Sequence, residues 1–296
     1  MLACGLVWRD ARALYFVALW ALLPCWSHYL VSKVDNSSHN EFYDYYRRES
    51  ESEATLARFA RIRDTVLKAI DLHDPVQVAS PLDVADIGCG AGSQCRIWAT
   101  AGHRVHGLDI NEPLLQLARE RANVDGMNIE YRLGSATDLP WGDGTMDICL
   151  VPELLEHVVD WQQCLDEFAR VLRPGGVLFL STTNALCPVQ DEFNLPLYSW
   201  YPARLKRRME ALAKSSKPSL ANYAKYPAIN WFTYGSLSSE LHHRGIQTFD
   251  RFDFMDSRRL SSAKQMVLWM LRRVPAFRTL TQLFIASTMV VGVKRR

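Results

Sequence analysis

No two cysteines in this chain form a C-x-x-C pair, and the seven at positions 4, 25, 89, 95, 149, 164 and 187 show no metal-ligand spacing. An odd, scattered set excludes a disulfide framework or a zinc ribbon and predicts reduced, mostly buried thiols in a cytoplasmic protein. An excess of one charge is also lacking: 34 Lys and Arg face 32 Asp and Glu, a net charge of +2. No global field therefore draws the chain to nucleic acid. Internal repeats and low-complexity tracts are absent too, which excludes solenoids and disordered linkers. What remains is a chain of 296 residues with 48% hydrophobic content, enough to bury a full core.

The amino-terminal segment, residues 1–39, stands apart. From Ala13 to Ser32 there is no Asp, Glu, Lys or Arg, and Arg9 and Arg12 lie just before it. Its length approaches a membrane span, while Pro24, His28 and the serines interrupt it. Three expectations stay open: attachment to the inner face of a membrane through residues 13–32, an amphipathic helix packed on the domain, or residues upstream of the true start.

Residues 40–296 read as one domain. About Asn40–Asp71 is helical, with Ile62, Val66, Ala69 and Ile70 on one apolar stripe. From Asp83 onward strand and helix signals alternate. Strands are expected at Leu82–Ile87, Arg104–Asp109, Asn128–Leu133, Met146–Val151 and Val177–Ser181, with two more at Ile246–Phe252 and in "FIASTMVVGV". Between them, Ala91–Ala101 and Trp161–Leu172 read as helices. So does "NEPLLQLARERANV", with Asn111 as N-cap and Pro113 in the first turn. Such alternation implies right-handed βαβ units and an α/β, doubly wound, mostly parallel seven-stranded sheet. The stretch 184–231, after the fifth strand, is too long and aromatic for a simple connection.

The first strand-to-helix turn, "VADIGCGAGSQC", packs Gly88, Gly90 and Gly92 into five residues. Glycine there permits a sharp bend and close approach of backbone to a ligand. In doubly wound sheets that turn lies at the ligand crevice, and Asp109, ending the second strand, stands where a carboxylate grips ribose hydroxyls. A dinucleotide fingerprint would need glycine at Ser93, and no Lys or Arg lies in the turn to meet a phosphate. Asp86 inside it disfavours phosphate and suits a cation. S-adenosylmethionine offers an ammonium, a sulfonium and a ribose, and no phosphate.

"LDVADIGCGAGS", "VHGLDIN", "GSATDLPWGDGTMDICLV", "ELLEHVVDW" and "FARVLRPGGVLFLSTTN" together resemble the ordered motifs of class I S-adenosylmethionine-dependent methyltransferases, over residues 82–184. The "EHV" and "STTN" elements are similar to quinone-biosynthesis O-methyltransferases. The resemblance implies a Rossmann-like methyltransferase fold. It further implies that Asp86, Gly88 and Gly90 hold the methionine end of the donor and Asp109 the ribose. Ile110 would pack on the adenine, Ser135 and Ala136 would contact its edge, and Pro152 would floor the pocket. Ser135 departs from the acidic residue that many members carry there.

Glu153, Glu156 and His157 follow the fourth strand and are expected on one face of a helical turn. Three readings stay open. His157 is a general base oriented by Glu153 or Glu156, or the three ligate Mg²⁺, as the quinone enzymes imply, or the acids merely start a helix. Tyr198, Trp200, Tyr201, Tyr223, Tyr226, Trp231 and Tyr234, around the basic "RLKRRMEALAKSSK", offer an acceptor wall or a lipid contact; a solvated helix beside an aromatic mini-core is the alternative. The expected function is methyl transfer from S-adenosylmethionine to a small-molecule or lipid-like acceptor, at oxygen. A nicotinamide-dependent oxidoreductase and a non-catalytic, membrane-associated donor-binding scaffold are the competing readings.

Overall fold

Seven strands form one sheet in the order β3-β2-β1-β4-β5-β7-β6 in the computed structural model, which describes residues 39–73, 81–190, 192–222 and 228–296. The hydrophobic stretch 13–32, Tyr223 and Tyr226 lie outside the described residues. Two helices come first, α1 (His39–Glu49) and α2 (Glu53–His73). The single helical stretch expected there breaks at 50–52, where the Ser52 hydroxyl accepts from the Thr55 N–H. Then follow β1 (Asp83–Ile87), α3 (Ser93–Thr100), β2 (Arg104–Asp109), α4 (Glu112–Val124), β3 (Glu130–Leu133) and β4 (Met146–Pro152). Next are α5 (Trp161–Val171), β5 (Leu172–Thr183), α6 (Ala203–Ser215), α7 (Tyr234–His243), β6 (Ile246–Phe249), α8 (Ser262–Arg273), α9 (Pro275–Gln282) and β7 (Ser287–Lys294).

Strands β1 to β5 pair in parallel and β7 runs antiparallel between β5 and β6. Strand order reverses between β1 and β4, so the crevice for a ligand opens at the carboxyl ends of those two strands. Alternate strand residues feed two cores. Ala85, Ile87, Cys149, Val151, Leu178 and Leu180 face one side with Phe168 of α5 and Leu237 of α7. Val84, Ile148, Leu150, Val177 and Phe179 face the other with Trp98 of α3 and Leu115 of α4. Ile62, Val66, Ala69 and Ile70 join this second core, so the predicted apolar stripe is the buried face of α2. Cys89, Cys95, Cys149 and Cys164 are buried free thiols.

Among the boundaries that differ from expectation, two have a visible physical cause. β5 begins five residues early, at Leu172, which pairs with Met146 before a register shift lets Val177 pair with Ile148. β6 stops at Phe249 because Asp250 takes the Phe252 N–H on one carboxylate oxygen and is gripped by Arg278. The turn so formed buries Phe252 against Leu268 and Leu271 of α8.

Candidate donor and acceptor site

The bend after β1 has the backbone that its glycines permit. Gly88, Gly90 and Gly92 all lie at positive φ, at 79°, 52° and 76°. A Cβ on Gly90 would meet nothing within 4 Å, so this residue presents bare backbone to open space. A Cβ on Gly92 would come within 2.5 Å of the Tyr131 hydroxyl and 2.8 Å of Ala118, so its lack of a side chain lets the start of α3 close on β3 and α4. A Cβ on Gly88 would lie 3.2 Å from Leu154, which joins this bend to the loop after β4.

Asp109 ties the bend to the neighbouring strand. Its Oδ2 accepts from Gly90 N–H and its Oδ1 from Asn111 N–H, both at 2.8 Å. A carboxylate offers about four acceptor positions, so these two bonds leave capacity on its oxygens for a ribose hydroxyl. Burial raises its pKa while the backbone donors oppose the shift. Asn111 caps α4 by accepting from Leu114 N–H, as predicted. Ile110 beside it is 78% exposed, an apolar rim that an aromatic ring could cover. Ala136 is buried, whereas Ser135 is exposed and its hydroxyl is taken up by Thr137. Pro152 ends β4, opposite Ser181.

Asp86 differs from the direct ligand contact expected of it. It is 1% exposed, and Gln94 Nε2 and the Cys95 thiol donate to its two oxygens at 3.0 and 3.1 Å. Burial pushes its pKa up to about 7, so at neutral pH it carries only part of a charge and anchors the bend to α3. In the unfolded chain the same group ionises near its ordinary value of 3.8. The folded state therefore holds the proton more tightly, and stability is full below that pH and declines as pH rises toward 7. The expected loss is up to about 4 kcal/mol. Asp86→Asn should flatten that decline in chemical denaturation between pH 4 and 7; an unchanged slope would assign it to other groups.

The helical face expected for Glu153, Glu156 and His157 is not formed. Glu153 precedes the turn at φ 52°, and only Leu155–His157 make a single 3₁₀ turn. Ser181 Oγ donates to Glu153 at 2.6 Å and Thr182 Oγ1 to Glu156 at 2.7 Å. Adjacent strand residues point to opposite faces, so the two carboxylates are held from different sides of β5. Glu156 is fully buried, and burial, followed by the nearby Glu153 and Glu192, raises its pKa far above the carboxylate range. Among the described residues no three His, Cys, Asp or Glu side chains are arranged to hold a metal ion. The donor set does not fit the Mg²⁺ that the quinone enzymes imply.

Two features escape the sequence reading. Asn230 Nδ2 donates to the carbonyls of Leu155 and Val158, and Ile229 and Asn230 N–H both donate to the Glu156 carbonyl. The end of the long insertion is thereby stapled onto the turn that carries His157. Tyr46 of α1 sits near Asp109, Glu156 and Glu192; burial and those carboxylates push its phenol up to about 12. Helix α1 is held there by Arg121, which donates to the Arg47 carbonyl and the Ser50 hydroxyl, and by Glu51, which pairs with Arg96. Neither feature has a local sequence signal, because its partners are more than 40 residues away. The aromatic insertion takes the second of the two forms expected of it. Tyr198 is buried, stacks on Phe193 at 4.0 Å and packs against Tyr201 and Trp231, with Lys206 over the Trp231 ring at 4.6 Å. Tyr234 packs on the main core, and Trp200 is the exposed ring among those described. These aromatics form a mini-core beside a solvated α6.

Residues 85–180 match the family model described as a methyltransferase domain. Ubiquinone biosynthesis O-methyltransferases are among the curated relatives. That of Chelativorans sp. (strain BNC1) is 36% identical over 130 residues, 43% of this chain and 51% of the relative. That of Sinorhizobium medicae is 36% identical over 129 residues, 43% of this chain and 52% of the relative. A solved structure of a putative sarcosine dimethylglycine methyltransferase from Galdieria sulphuraria shares the fold with a TM-score of 0.50 at 18% identity, covering 97% of this chain and 98% of that one. Strand order, the glycine bend and the matched segment agree on a methyltransferase domain over residues 85–180, in a chain that spans about half the length of the curated relatives it matches.

Proposed function

We propose that this protein transfers a methyl group from S-adenosylmethionine to a hydroxyl oxygen of a small-molecule or lipid-like acceptor. The observation that carries the reading is the Gly88–Gly90 bend, where Gly90 is bare toward open space and bonded to the Asp109 carboxylate. The O-methyltransferase names of the relatives support oxygen as the methylated atom. The bound donor supplies an already activated methyl on a sulfonium. In this reading Gly88 and Gly90 approach its methionine portion with main-chain groups, and Asp109 accepts from the ribose hydroxyls. Ile110 covers one adenine face, and Ala136 with the main chain of Ser135 borders its edge. Pro152 closes the floor. Asp86 acts on the donor through the bend it anchors.

The remaining task is to hold the acceptor oxygen in line with the methyl carbon, and positioning of that kind can supply about 7–11 kcal/mol. As the carbon–oxygen bond forms and the carbon–sulfur bond breaks, the hydroxyl proton must leave, and His157 is the base proposed to take it. Its turn is held to the Asn230 strap, which supports a fixed position for the imidazole. Glu153, on Ser181, and Glu156, on Thr182, position that turn. The test is transfer of labelled methyl from the donor to a cell extract. His157→Ala should lower turnover about 100-fold or more while donor affinity changes less than about threefold. Full turnover in that variant would remove His157 from the chemistry.

A further inference from the structure

Seven of the sixteen large apolar side chains exposed among the described residues fall between positions 266 and 284. Met266 and Trp269 stand three apart on α8. Phe277 and Leu280 repeat that spacing on α9, and Phe284 follows just beyond its end. Leu268 and Leu271 take the inward side, against Phe252 and Ile285. Single exposed apolar residues are ordinary, but such a concentration marks an interaction surface.

Charge indicates the partner. Residues 257–282 carry six cations and no acid, in a chain whose net charge is only +2. Arg278 is committed to Asp250 and Asp253, and Arg272 to the carbonyls around Phe252. Lys264 and Arg273 make no ion pair among the described residues. A second copy of the chain would bring the same cations to the contact and be repelled. An anionic bilayer would neutralise them while taking up Trp269, Phe277 and Phe284, and tryptophan favours that polar–apolar boundary. Among the described residues no helix is long and apolar enough to cross a membrane, so α8 and α9 would lie on the surface.

Topology adds direction. β6 ends at Phe249 and β7 starts at Ser287 opposite Thr183, the last residue of β5, so the whole 250–286 connection sits at the carboxyl edge of the sheet. Asn184, just past β5, donates to the carbonyls of Gln282 and Ile285 and fastens the end of α9 to that edge. The Gly88–Gly90 bend opens at the same edge. We propose that α8 and α9 dock the protein on an anionic phospholipid surface, with the donor site on the membrane-facing edge of the sheet. The docking surface is distinct from residues 13–32 and from α6; its placement beside a donor site rests on the proposed function, whereas docking itself does not.

The test is cosedimentation of the full chain with vesicles of phosphatidylglycerol and phosphatidylcholine, and with phosphatidylcholine alone. Binding is expected only to the anionic vesicles and should weaken in about 0.5 M salt. Lys264→Glu with Arg273→Glu, and separately Trp269→Ser with Phe277→Ser, should each lower the partition coefficient about tenfold or more. Arg207→Glu with Arg208→Glu in α6 should leave it unchanged. These side chains lie at the surface, so thermal unfolding should stay near that of the parent and report intact folding. Equal binding by parent and α8–α9 variants, or no binding by the parent, would overturn the proposal. So would a dimer in light scattering that Trp269→Ser with Phe277→Ser dissociates. Methyl transfer to a water-soluble acceptor without vesicles is a separate readout, so failure of docking and failure of the activity are distinguishable.

Discussion

Asp109→Ala is expected to weaken S-adenosylmethionine binding by about 100-fold or more, measured by calorimetry on the intact chain. The proposed bonds from two ribose hydroxyls to a carboxylate are charge-assisted, and each such bond contributes about 1.5–3 kcal/mol. Losing both corresponds to about 3 kcal/mol at the least, and every 1.4 kcal/mol is tenfold in affinity. The alanine variant also strips Gly90 N–H and Asn111 N–H of their acceptors, which frees the bend and the start of α4. Asp109→Asn separates the two effects. Its amide oxygen can keep one backbone donor, but the opposite corner then presents N–H groups where acceptors are needed. The asparagine variant should therefore bind nearly as poorly as alanine while unfolding closer to the parent. NAD titrated against the parent should give no saturating heat at micromolar concentration, because the bend carries no cation for a pyrophosphate. Unchanged donor affinity in Asp109→Ala would remove the nucleoside site from this edge of the sheet.

Gly92→Ala is expected to be the most destabilising single methyl addition in the glycine bend. The residue lies at φ 76° and its Cβ would fall within 2.5 Å of Tyr131 and 2.8 Å of Ala118. The left-handed conformation costs about 1–2 kcal/mol for a residue with a Cβ. Overpacking against a buried ring adds about 1–3 kcal/mol. Together these predict a loss of about 2–5 kcal/mol, which for a domain of this size lowers the melting temperature by about 5–15 °C. Gly102 provides the control: its φ is 87°, yet a Cβ there would meet nothing within 4 Å. Gly102→Ala should lose only the conformational part. If the two variants melt together, close packing of α3 on Tyr131 and Ala118 is not what Gly92 provides.

Much of the frame was legible before any coordinates. Alternating apolar runs predicted all seven strands, and their core-facing residues are the ones buried. Asn111 was read as an N-cap from one polar residue ahead of a periodic stretch, and its side chain does accept the Leu114 N–H. The left-handed glycines and the acidic end of β2 were equally visible. Such features are written locally: a steric rule for one residue, or a period of two or 3.6, constrains the backbone whatever surrounds it.

The chemistry of the side chains was less legible. Asp86 reads as an ion facing a ligand, but Gln94 and Cys95 close over it and burial keeps it half neutral. Glu153 and Glu156 stand in register for a helix, but three residues of 3₁₀ turn send them to different side chains of β5. Seven aromatics read equally as an acceptor wall or a mini-core, and only the packing of Tyr198 on Phe193 and Trp231 selects the mini-core. The sequence by itself determined the strand order's raw material, the bend and the residue that anchors it. Only the tertiary structure decided which carboxylates remain charged, which turn Asn230 pins, and that α8 and α9 share an edge with the donor site. The reason is that charge state and partner choice depend on burial and on groups many residues away, and no local rule carries that information.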